Sequence, residues 1–567
     1  MTLTRRLRAR AALGGVLAAG AGLGLGELTA ALAGGTSPVV GVGTQLIDLA
    51  PGPAKDWAVK NLGTADKPIL VGAVLLAVTG FALLAGVIGA SKPRVAVGMT
   101  IALGLLAILA AATGRTLAAN HFVQVLPGFV TLLVATIGMF LVLRSLNLNP
   151  FGGRRGRKTA AAEGSTRIVG PSPTRPNDRT ADLDAVTVGS GGSGGSAAAG
   201  AGGAESGERE TPAGFDRRGF LVTAIALGAA GVGGLAVSRV LPGGVDDATR
   251  AAIKIPAPAS RANALPAGVS ADVAGVSRFV TPNKSFYRVD TLLTVPKVDP
   301  RNWELRVHGM VDRELRFNLA DLLGRRLVER DITLTCVSNE VGGPYVGNAR
   351  WIGVPIADIL QEAGVRAGAD AVKSTSVDGL TIGTPLKALA DGRDAIFAVA
   401  MNGEPLPFEH GFPVRMVVPG LYGYVSATKW IVDFEVTRFE DFSAYWTDRG
   451  WSVEAPIKTS SRIDVPKGFA RIKAGPAVAA GVAWAQNRGI AKVEVQVDEG
   501  PWQEATLALE DTIDTWRQWT LRWNATPGNH RLTVRATDAD GQVQTTDRAA
   551  PRPNGSSGLH NTVVMVE

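Results

Sequence analysis

Residues 331–351 read DITLTCVSNEVGGPYVGNARW, and their first half alternates as a half-buried β-strand does before it reaches Cys336. Cys336 is the only cysteine among 567 residues. A free cysteine is most often a small buried hydrophobe, although its thiolate also binds soft metals. One sulfur cannot close a zinc site, which takes about four ligands, so a metal here would bring most of its own ligands. The residues around Cys336 leave both interpretations open.

The chain on both sides of Cys336, residues 270–452, predicts a mixed α+β domain. Residues 303–308 alternate as a strand does, and Ile356–Ala363 has the pattern of a short helix. Residues 404–430, EPLPFEHGFPVRMVVPGLYGYVSATKW, place glycine and proline around one apolar strand. This segment offers basic side chains at loops and strand ends: His410, Arg415 and Lys429. Either anion binding or pairing with surface carboxylates would account for them.

Residues 453–567 predict a β-sandwich of immunoglobulin type. Alternating segments such as 492–498 and 531–537 are separated by turns with the composition Asp-Glu-Gly or Asp-Ala-Asp-Gly. We expect the tryptophans of this region to fill its core rather than bind a ligand. They are Trp484, Trp502, Trp516, Trp519 and Trp523.

The N-terminal part of the chain predicts transmembrane helices, about four in residues 1–148 and a fifth in residues 215–241. Each of five apolar runs has close to the roughly 20 residues that cross a bilayer as a helix. The runs are 11–33, 69–90, 95–112, 122–143 and 220–237. The first is also interpretable as a removed signal peptide, because it contains Glu27 and ends in a small-residue sequence, Ala-Leu-Ala.

The formal net charge of +8 is explained by basic clusters that flank these apolar runs. The clusters are residues 5–10, 92–94, 154–158 and 217–218. Nucleic acid is not an expected partner, because a nucleic-acid surface interleaves basic and aromatic residues on one folded face. The positive-inside rule puts every cluster on the cytoplasmic side. We therefore predict a multi-pass protein of the cytoplasmic membrane whose residues after about 242 lie outside.

Residues 149–214 predict a disordered cytoplasmic linker, because GSGGSGGSAAAGAGGA at 189–204 has too few large apolar residues for a core. After the linker, DRRGFL at 216–221 resembles a twin-arginine export motif, although two ordinary positive-inside arginines would look the same. His121 is the only histidine before residue 308, so we expect no bis-histidine haem in this chain. The helical part is then an anchor, or a docking surface for a quinone or a partner protein.

Cys336, followed along the chain by HGFPVRMVVPGLYGYVSATKW at residues 410–430, resembles the sulfite oxidase family of molybdenum enzymes. The resemblance covers roughly residues 275–567, about half of the chain. It includes FYRVDTLLTVPKVDPRNWELRVHG from residue 286, WIGVPIADIL from 351, MNGEPLP from 401 and GVAWAQNRGIAKVEVQVDEG from 481. Each piece alone is weak, whereas the ordered set is specific.

The resemblance implies molybdenum held by a pyranopterin dithiolene and by one protein cysteine, at the position of Cys336. It explains how a single thiolate suffices, because the organic cofactor brings two further sulfurs. The positions that match cofactor contacts in the family are Asn283, Tyr287, Ser376, His410, Arg415, Thr428 and Lys429. Because this cofactor is inserted in the cytoplasm, the resemblance also implies export of a folded domain, which is what the twin-arginine machinery provides.

Three positions depart from the sulfite-oxidising members of the family. Those members carry an arginine at or beside the position of Val289, basic residues where Glu340 stands, and a tyrosine near the metal where Trp451 falls. A pocket without those cations would bind sulfite poorly. We therefore expect two-electron oxygen-atom transfer on a small substrate, with an unidentified electron carrier or a membrane quinone as partner.

Two alternatives stay open. One is a sulfite dehydrogenase whose anion site uses arginines from elsewhere, such as Arg350 or Arg449. The other is a cofactor-free surface binding module. The terminal β domain makes a homodimer in several relatives and not in others, so the sequence predicts neither state.

Overall fold

The structure is a computed structural model that describes residues 2–51, 54, 57–58, 61–62, 65–115, 121–148, 216–240 and 245–567. The predicted linker at 149–214, with its basic cluster at 154–158, lies outside the described residues. In what is described, a helical half is followed by a mixed α and β domain and then by an all-β domain.

The helical half contains all five of the predicted apolar helices, together with shorter helical segments. Its helices are α1 (Thr2–Ala33), α2 (Pro38–Leu49), α3 (Asp66–Gly89), α4 (Pro93–Ala112), α5 (His121–Ser145) and α6 (Arg217–Val240). Among the described residues, α1 and α3 to α6 are long and apolar enough to cross a membrane. Helix α2 was not predicted, and it starts where Ser37 caps the N–H of Val40 ahead of Pro38.

Helix α1 lies at the centre of this bundle, packed against α3, α5 and α6. The glycines of α1 permit the neighbouring helices to approach its backbone closely. A Cβ on Gly15 would lie 2.3 Å from the carbonyl oxygen of Ala82 in α3. A Cβ on Gly24 would lie 2.2 Å from the carbonyl oxygen of Gly231 in α6. Small residues at helix contacts are the usual means of packing helices in a membrane.

The mixed domain begins with the short helix α7 (Asp247–Ala251) and is built on two sheets. The first has the strand order β2-β1-β10-β5-β6, and the second has β3-β4-β7-β8 with β9 added at β7. The strands are β1 (Glu304–Gly309), β2 (Leu315–Asn318), β3 (Val328–Thr335), β4 (Val346–Pro355), β5 (Ala371–Ser376), β6 (Thr381–Pro385), β7 (Ile396–Met401), β8 (Glu404–Pro405), β9 (Arg415–Val417) and β10 (Ile431–Thr437). The helices between them are α8 (Leu319–Leu323), α9 (Ile356–Ala363) and α10 (Lys387–Ala390).

The predicted strand at 303–308 and the predicted helix at Ile356–Ala363 are confirmed as β1 and α9. Residues before 270 also pack on this domain, because Val245 is buried in its core and Ser260 pairs with Val328.

The all-β domain consists of two sheets that share one core. Their orders are β11-β13-β17-β16 and β12-β19-β18-β14-β15. The strands are β11 (Ser460–Val465), β12 (Arg471–Ile472), β13 (Gly475–Trp484), β14 (Ile490–Val497), β15 (Trp502–Glu504), β16 (Thr506–Leu507), β17 (Arg517–Ala525), β18 (Gly528–Asp538) and β19 (His560–Val566). The core between the sheets includes Trp519 and Trp523, as predicted, whereas Trp484 and Trp516 are buried in the core of the mixed domain instead.

The mixed domain and the all-β domain meet along β3, whose last residue, Thr335, directly precedes Cys336. Thr333 accepts a hydrogen bond at Oγ1 from the backbone N–H of Trp516 (2.8 Å) and donates one to Asn348 (3.0 Å). The side-chain amide of Gln486 donates to the carbonyl oxygen of Thr333 at 2.9 Å. Trp516 itself is buried in the core of the mixed domain. The β domain therefore fixes the strand that presents the cysteine.

Candidate functional site

A cleft with an empty volume of about 940 Å³, partly open to solvent, lies at the end of β3. Five chain segments line it: the loop after residue 285, the turn that follows β3, the β5–β6 hairpin, the segment from His410 to Trp430 and the loop at 446–451. Six of the predicted site residues face this cleft. They are Cys336, Tyr287, Ser376, His410, Arg415 and Lys429.

Cys336 directly follows β3 and is held by its backbone, whose N–H donates to the carbonyl oxygen of Tyr345 at 3.0 Å. Its Sγ lies 2.9 Å from the hydroxyl of Ser338. The side chain is buried, and burial raises the pKa of the Cys336 thiol, although Ser338 and the charge of Lys429 oppose that effect. A bound metal is the usual means of obtaining a thiolate in such surroundings, because coordination removes the proton.

Two cations line the cleft, and both are largely removed from water. Burial lowers the pKa of Arg415 to about 10 and that of Lys429 to about 8, and nearby Asp290 opposes the second shift. Both side chains are therefore charged at neutral pH. The Arg415 guanidinium donates to the carbonyl oxygen of His410 at 3.2 Å. The arrangement suits an anionic group, for which charged donors are the strongest partners.

His410 lies beside these cations as a neutral ring. Burial lowers the pKa of His410 to about 4, and the charges of Arg415 and Lys429 add to the effect although the bond to Asn283 opposes it. Its Nε2 is 3.0 Å from the carbonyl oxygen of Asn283, which can only accept. Nε2 therefore carries the proton, and Nδ1 is left as an acceptor.

Two polar atoms in the lining have no hydrogen-bond partner among the described residues. They are Oγ of Ser376 and Oδ1 of Asp378. A buried polar atom without a partner costs roughly 1–3 kcal/mol, which a polar ligand would recover. Asp378 was not predicted, because a carboxylate two residues after a strand carries no signal in the sequence until its neighbours are known.

Asn283 and Thr428 do not belong to the described lining. The Asn283 side chain donates to Glu404 (2.6 Å) and accepts from Asn402 (2.7 Å). Thr428 is buried, with its hydroxyl 2.6 Å from that of Ser374. Both therefore support lining residues, Asn283 through His410 and Thr428 through the loop that carries Lys429.

The three departures from sulfite-oxidising sequences occupy different places. Val289 and Trp451 line the cleft, whereas Glu340 lines a separate small cavity. Arg288 stands directly before Val289, and its Nε lies 2.6 Å from Asp290.

The described lining does not include Arg350 or Arg449. Arg350 is paired with Asp331 (2.6 Å), and Arg449 donates to the carbonyl oxygen of Tyr445 (2.8 Å). In this structure, neither alternative arginine supplies an anion site to the cleft.

The donor set fits a molybdenum pyranopterin group. One soft sulfur ligand, two buried cations and two unpartnered polar atoms share a single cleft. A large organic cofactor with an anionic phosphate and a polar ring edge needs all three kinds of partner.

Comparison with known proteins agrees with this chemistry. Residues 292–446 match the family described as "Oxidoreductase molybdopterin binding domain". Mitochondrial sulfite oxidase from Mus musculus is 30% identical over 334 residues, which cover 50% of this chain and 60% of that protein. The nitrate reductase [NAD(P)H] of Hordeum vulgare is 33% identical over 194 residues, covering 30% of this chain and 21% of that protein.

A solved structure, the sulfane dehydrogenase SoxCD from Paracoccus pantotrophus, is 23% identical, with a TM-score of 0.45. The match covers 52% of the present chain and 85% of the SoxCD chain. The present chain thus spans about three fifths of the curated mouse relative that it matches. The mixed domain thus matches the molybdopterin-binding oxidoreductase model over residues 292–446, and the chain is similar to sulfite oxidase over about half of its length.

Proposed function

We propose that this protein is a membrane-anchored molybdenum-cofactor oxidoreductase that transfers an oxygen atom to or from a small uncharged substrate at the outer face of the membrane. One observation carries the proposal: the buried thiol of Cys336 shares a cleft with the cations Arg415 and Lys429. A surface binding module would have no need to bury a thiol beside two cations, because burying charge is costly without a partner.

In this proposal Cys336 is the protein ligand of the metal, and Arg415 with Lys429 holds the phosphate. Ser376 and Asp378 receive the polar edge of the pterin, since their buried atoms otherwise have no partner. Neutral His410 offers Nδ1 as an acceptor and is kept in place by Asn283. When bound, the cofactor supplies the two-electron change, while the protein orients it and excludes water.

The remainder of the lining favours an uncharged substrate. With Arg415 and Lys429 assigned to the cofactor, the cleft presents mainly apolar and aromatic side chains: Val289, Leu292, Leu380, Trp446 and Trp451. Such a surface does not compensate the lost hydration of a sulfite dianion. We therefore propose an S-oxide or N-oxide class of substrate in preference to sulfite.

The contacts between the halves support the outward orientation. The helical half meets the mixed domain at Gly43, Asp48, Lys67 and Arg115. All four lie in segments that the positive-inside rule places outside. Helix α6 starts at Arg217, so the basic pair lies at its N-terminal end, where twin-arginine export would require it.

We also propose that the terminal two-sheet domain is of immunoglobulin type and that electrons pass to or from a separate carrier or a membrane quinone. These two points rest on the strand pattern and on the family resemblance.

The test is the cofactor content of the full-length protein purified in detergent. We expect about one molybdenum and one pterin per chain, measured by mass spectrometry of the metal and by fluorescence of the oxidised pterin. Protein expressed in a host that makes the cofactor, but purified without either component, would contradict the proposal.

A steady-state screen then separates the substrate classes. We expect substrate-dependent oxidation of a reduced dye with small S-oxides or N-oxides. Sulfite-dependent reduction of an oxidised dye, with saturation at micromolar sulfite, would instead establish the sulfite dehydrogenase.

A further inference from the structure

Asp290 sits at the edge of the cleft as a buried carboxylate shared by three cations. Its side chain is 4% exposed. Lys67 lies 2.5 Å away, Arg288 2.6 Å and Lys429 3.1 Å. We call these four residues the Asp290 cluster. Burial alone would raise the pKa of Asp290, but the cations outweigh it and hold that pKa far below its usual range.

One member of the cluster comes from the helical half. Lys67 stands in the first turn of α3, where Asp66 accepts a hydrogen bond from its backbone N–H at 2.7 Å. The Lys67 ammonium is separated from Asp290 by 223 residues of sequence, and its side chain is 22% exposed. A residue outside the family-matched domain thus reaches the wall of the cofactor cleft.

The Asp290 cluster determines how many hydrogen-bond donors and how much positive charge Lys429 can offer to a ligand. An ammonium group has three donors. Within the described residues, that of Lys429 donates to Asp290 and to the carbonyl oxygen of Glu409, at 3.1 and 3.2 Å. One donor remains for the cleft. Because Lys67 and Arg288 share the negative charge of Asp290, that carboxylate neutralises Lys429 only in part.

We propose that Lys67 is a positioning residue that completes the anion-binding end of the cleft from the helical half. It acts through Asp290, whose charge it shares, and so keeps Lys429 available to a phosphate group. The inference rests on the proposed function for the identity of the natural ligand, a cofactor phosphate. Without Lys67, Asp290 would be shared by two cations instead of three, and it would neutralise more of the charge of Lys429.

A second contact between the halves supplies the matched control. The Tyr445 hydroxyl donates to Asp48 of α2 at 2.9 Å, and Arg115 donates to the same carboxylate at 3.0 Å. This contact also docks the helical half on the mixed domain, yet it does not include a member of the Asp290 cluster. Replacing Asp48 therefore weakens docking without changing the charge around Lys429.

The experiment measures binding of inorganic phosphate to full-length protein made in a host that lacks the pterin. Titration calorimetry in detergent compares wild type with Lys67→Gln, Lys67→Arg and Asp48→Asn. We expect Lys67→Gln to weaken phosphate binding on the order of fivefold, as loss of one partly buried charge would. Lys67→Arg should restore it, Asp48→Asn should bind like wild type, and the salt dependence should be shallower in Lys67→Gln.

Unchanged binding in Lys67→Gln, or equal weakening in Asp48→Asn, overturns the proposal. If Lys67→Gln does not fold, as judged by its melting curve, the comparison moves to Arg288→Gln, which removes another cation from the same carboxylate and should weaken binding similarly. Molybdenum and pterin content in the wild type tests the proposed function separately, because the phosphate titration uses protein without cofactor.

Discussion

At the scale of single residues, the thiol of Cys336 is buried in the wall of the cleft, and its Sγ lies 2.9 Å from the hydroxyl of Ser338. Serine at position 336 would keep the size and the hydrogen bond, but its oxygen is a poor ligand for a soft metal. We expect Cys336→Ser to reduce turnover by more than about a hundredfold, because losing even a residue that only supports a metal ligand costs about 10- to 100-fold. The melting temperature should stay close to that of wild type, and full turnover would exclude Cys336 as the ligand.

His560 in β19 predicts a pH dependence of stability. Burial lowers the pKa of His560 to about 4, and its Nδ1 accepts from the N–H of Ile463. Between pH 6.5 and 4 the unfolded chain binds the proton and the folded chain does not, so stability falls as the pH is lowered. Each such histidine contributes at most about 1.4 kcal/mol per pH unit.

The measurement is urea unfolding of the mixed and all-β domains at several pH values, monitored by tryptophan fluorescence. His560→Gln keeps an acceptor and should flatten the slope. The control is His530→Gln: the hydrogen bond to Asp498 raises the pKa of His530, so this histidine stabilises the fold at low pH instead. A steeper slope in His560→Gln would contradict the assignment of a neutral ring.

At the scale of elements, β3 is held from the β domain through the hydroxyl of Thr333. Thr333→Val leaves the N–H of Trp516 and the side chain of Asn348 without that partner. We expect a loss of roughly 1–3 kcal/mol in the free energy of unfolding for each unpaired group. Thr506→Val, at an exposed position in β16, is the matched control and should change stability little. Equal effects in the two variants would show that the hydroxyl of Thr333 does not stabilise the junction.

Hydrophobic periodicity predicted the helices and strands whose apolar residues recur regularly. It did not predict features that depend on contacts between residues far apart in sequence. Helix α9 follows from its apolar spacing, and the five long helices follow from hydropathy. Helix α2 was not predicted because it is only 12 residues long. The family resemblance predicted Cys336, Arg415 and Lys429 as site residues. Asp378 and Lys67 become candidates only in the structure, through an unpartnered atom and through an ion pair between residues far apart in sequence.

At the scale of the whole molecule, the proposed topology puts residue 91 inside and residue 270 outside. With Cys336→Ser as background, the chain has no other thiol. We expect Ser270→Cys to react with a membrane-impermeant maleimide in intact cells, and Ser91→Cys to react only after permeabilisation. Both positions are exposed in the structure, so labelling depends only on whether the maleimide can reach that side of the membrane. Labelling of Ser91→Cys in intact cells would refute the topology.

If the domain is exported folded as proposed, the pairing of Lys67 with Asp290 would also set an order of events in biogenesis. On the proposed topology, α3 inserts with its first turn already outside, while Asp290 passes through the cytoplasm and arrives later with the folded domain. The cofactor would then enter a cleft in which Asp290 is not yet paired with Lys67. Lys67 would pair with Asp290 only after export. Crossing the membrane would then separate a state that takes up the cofactor from a state that retains it.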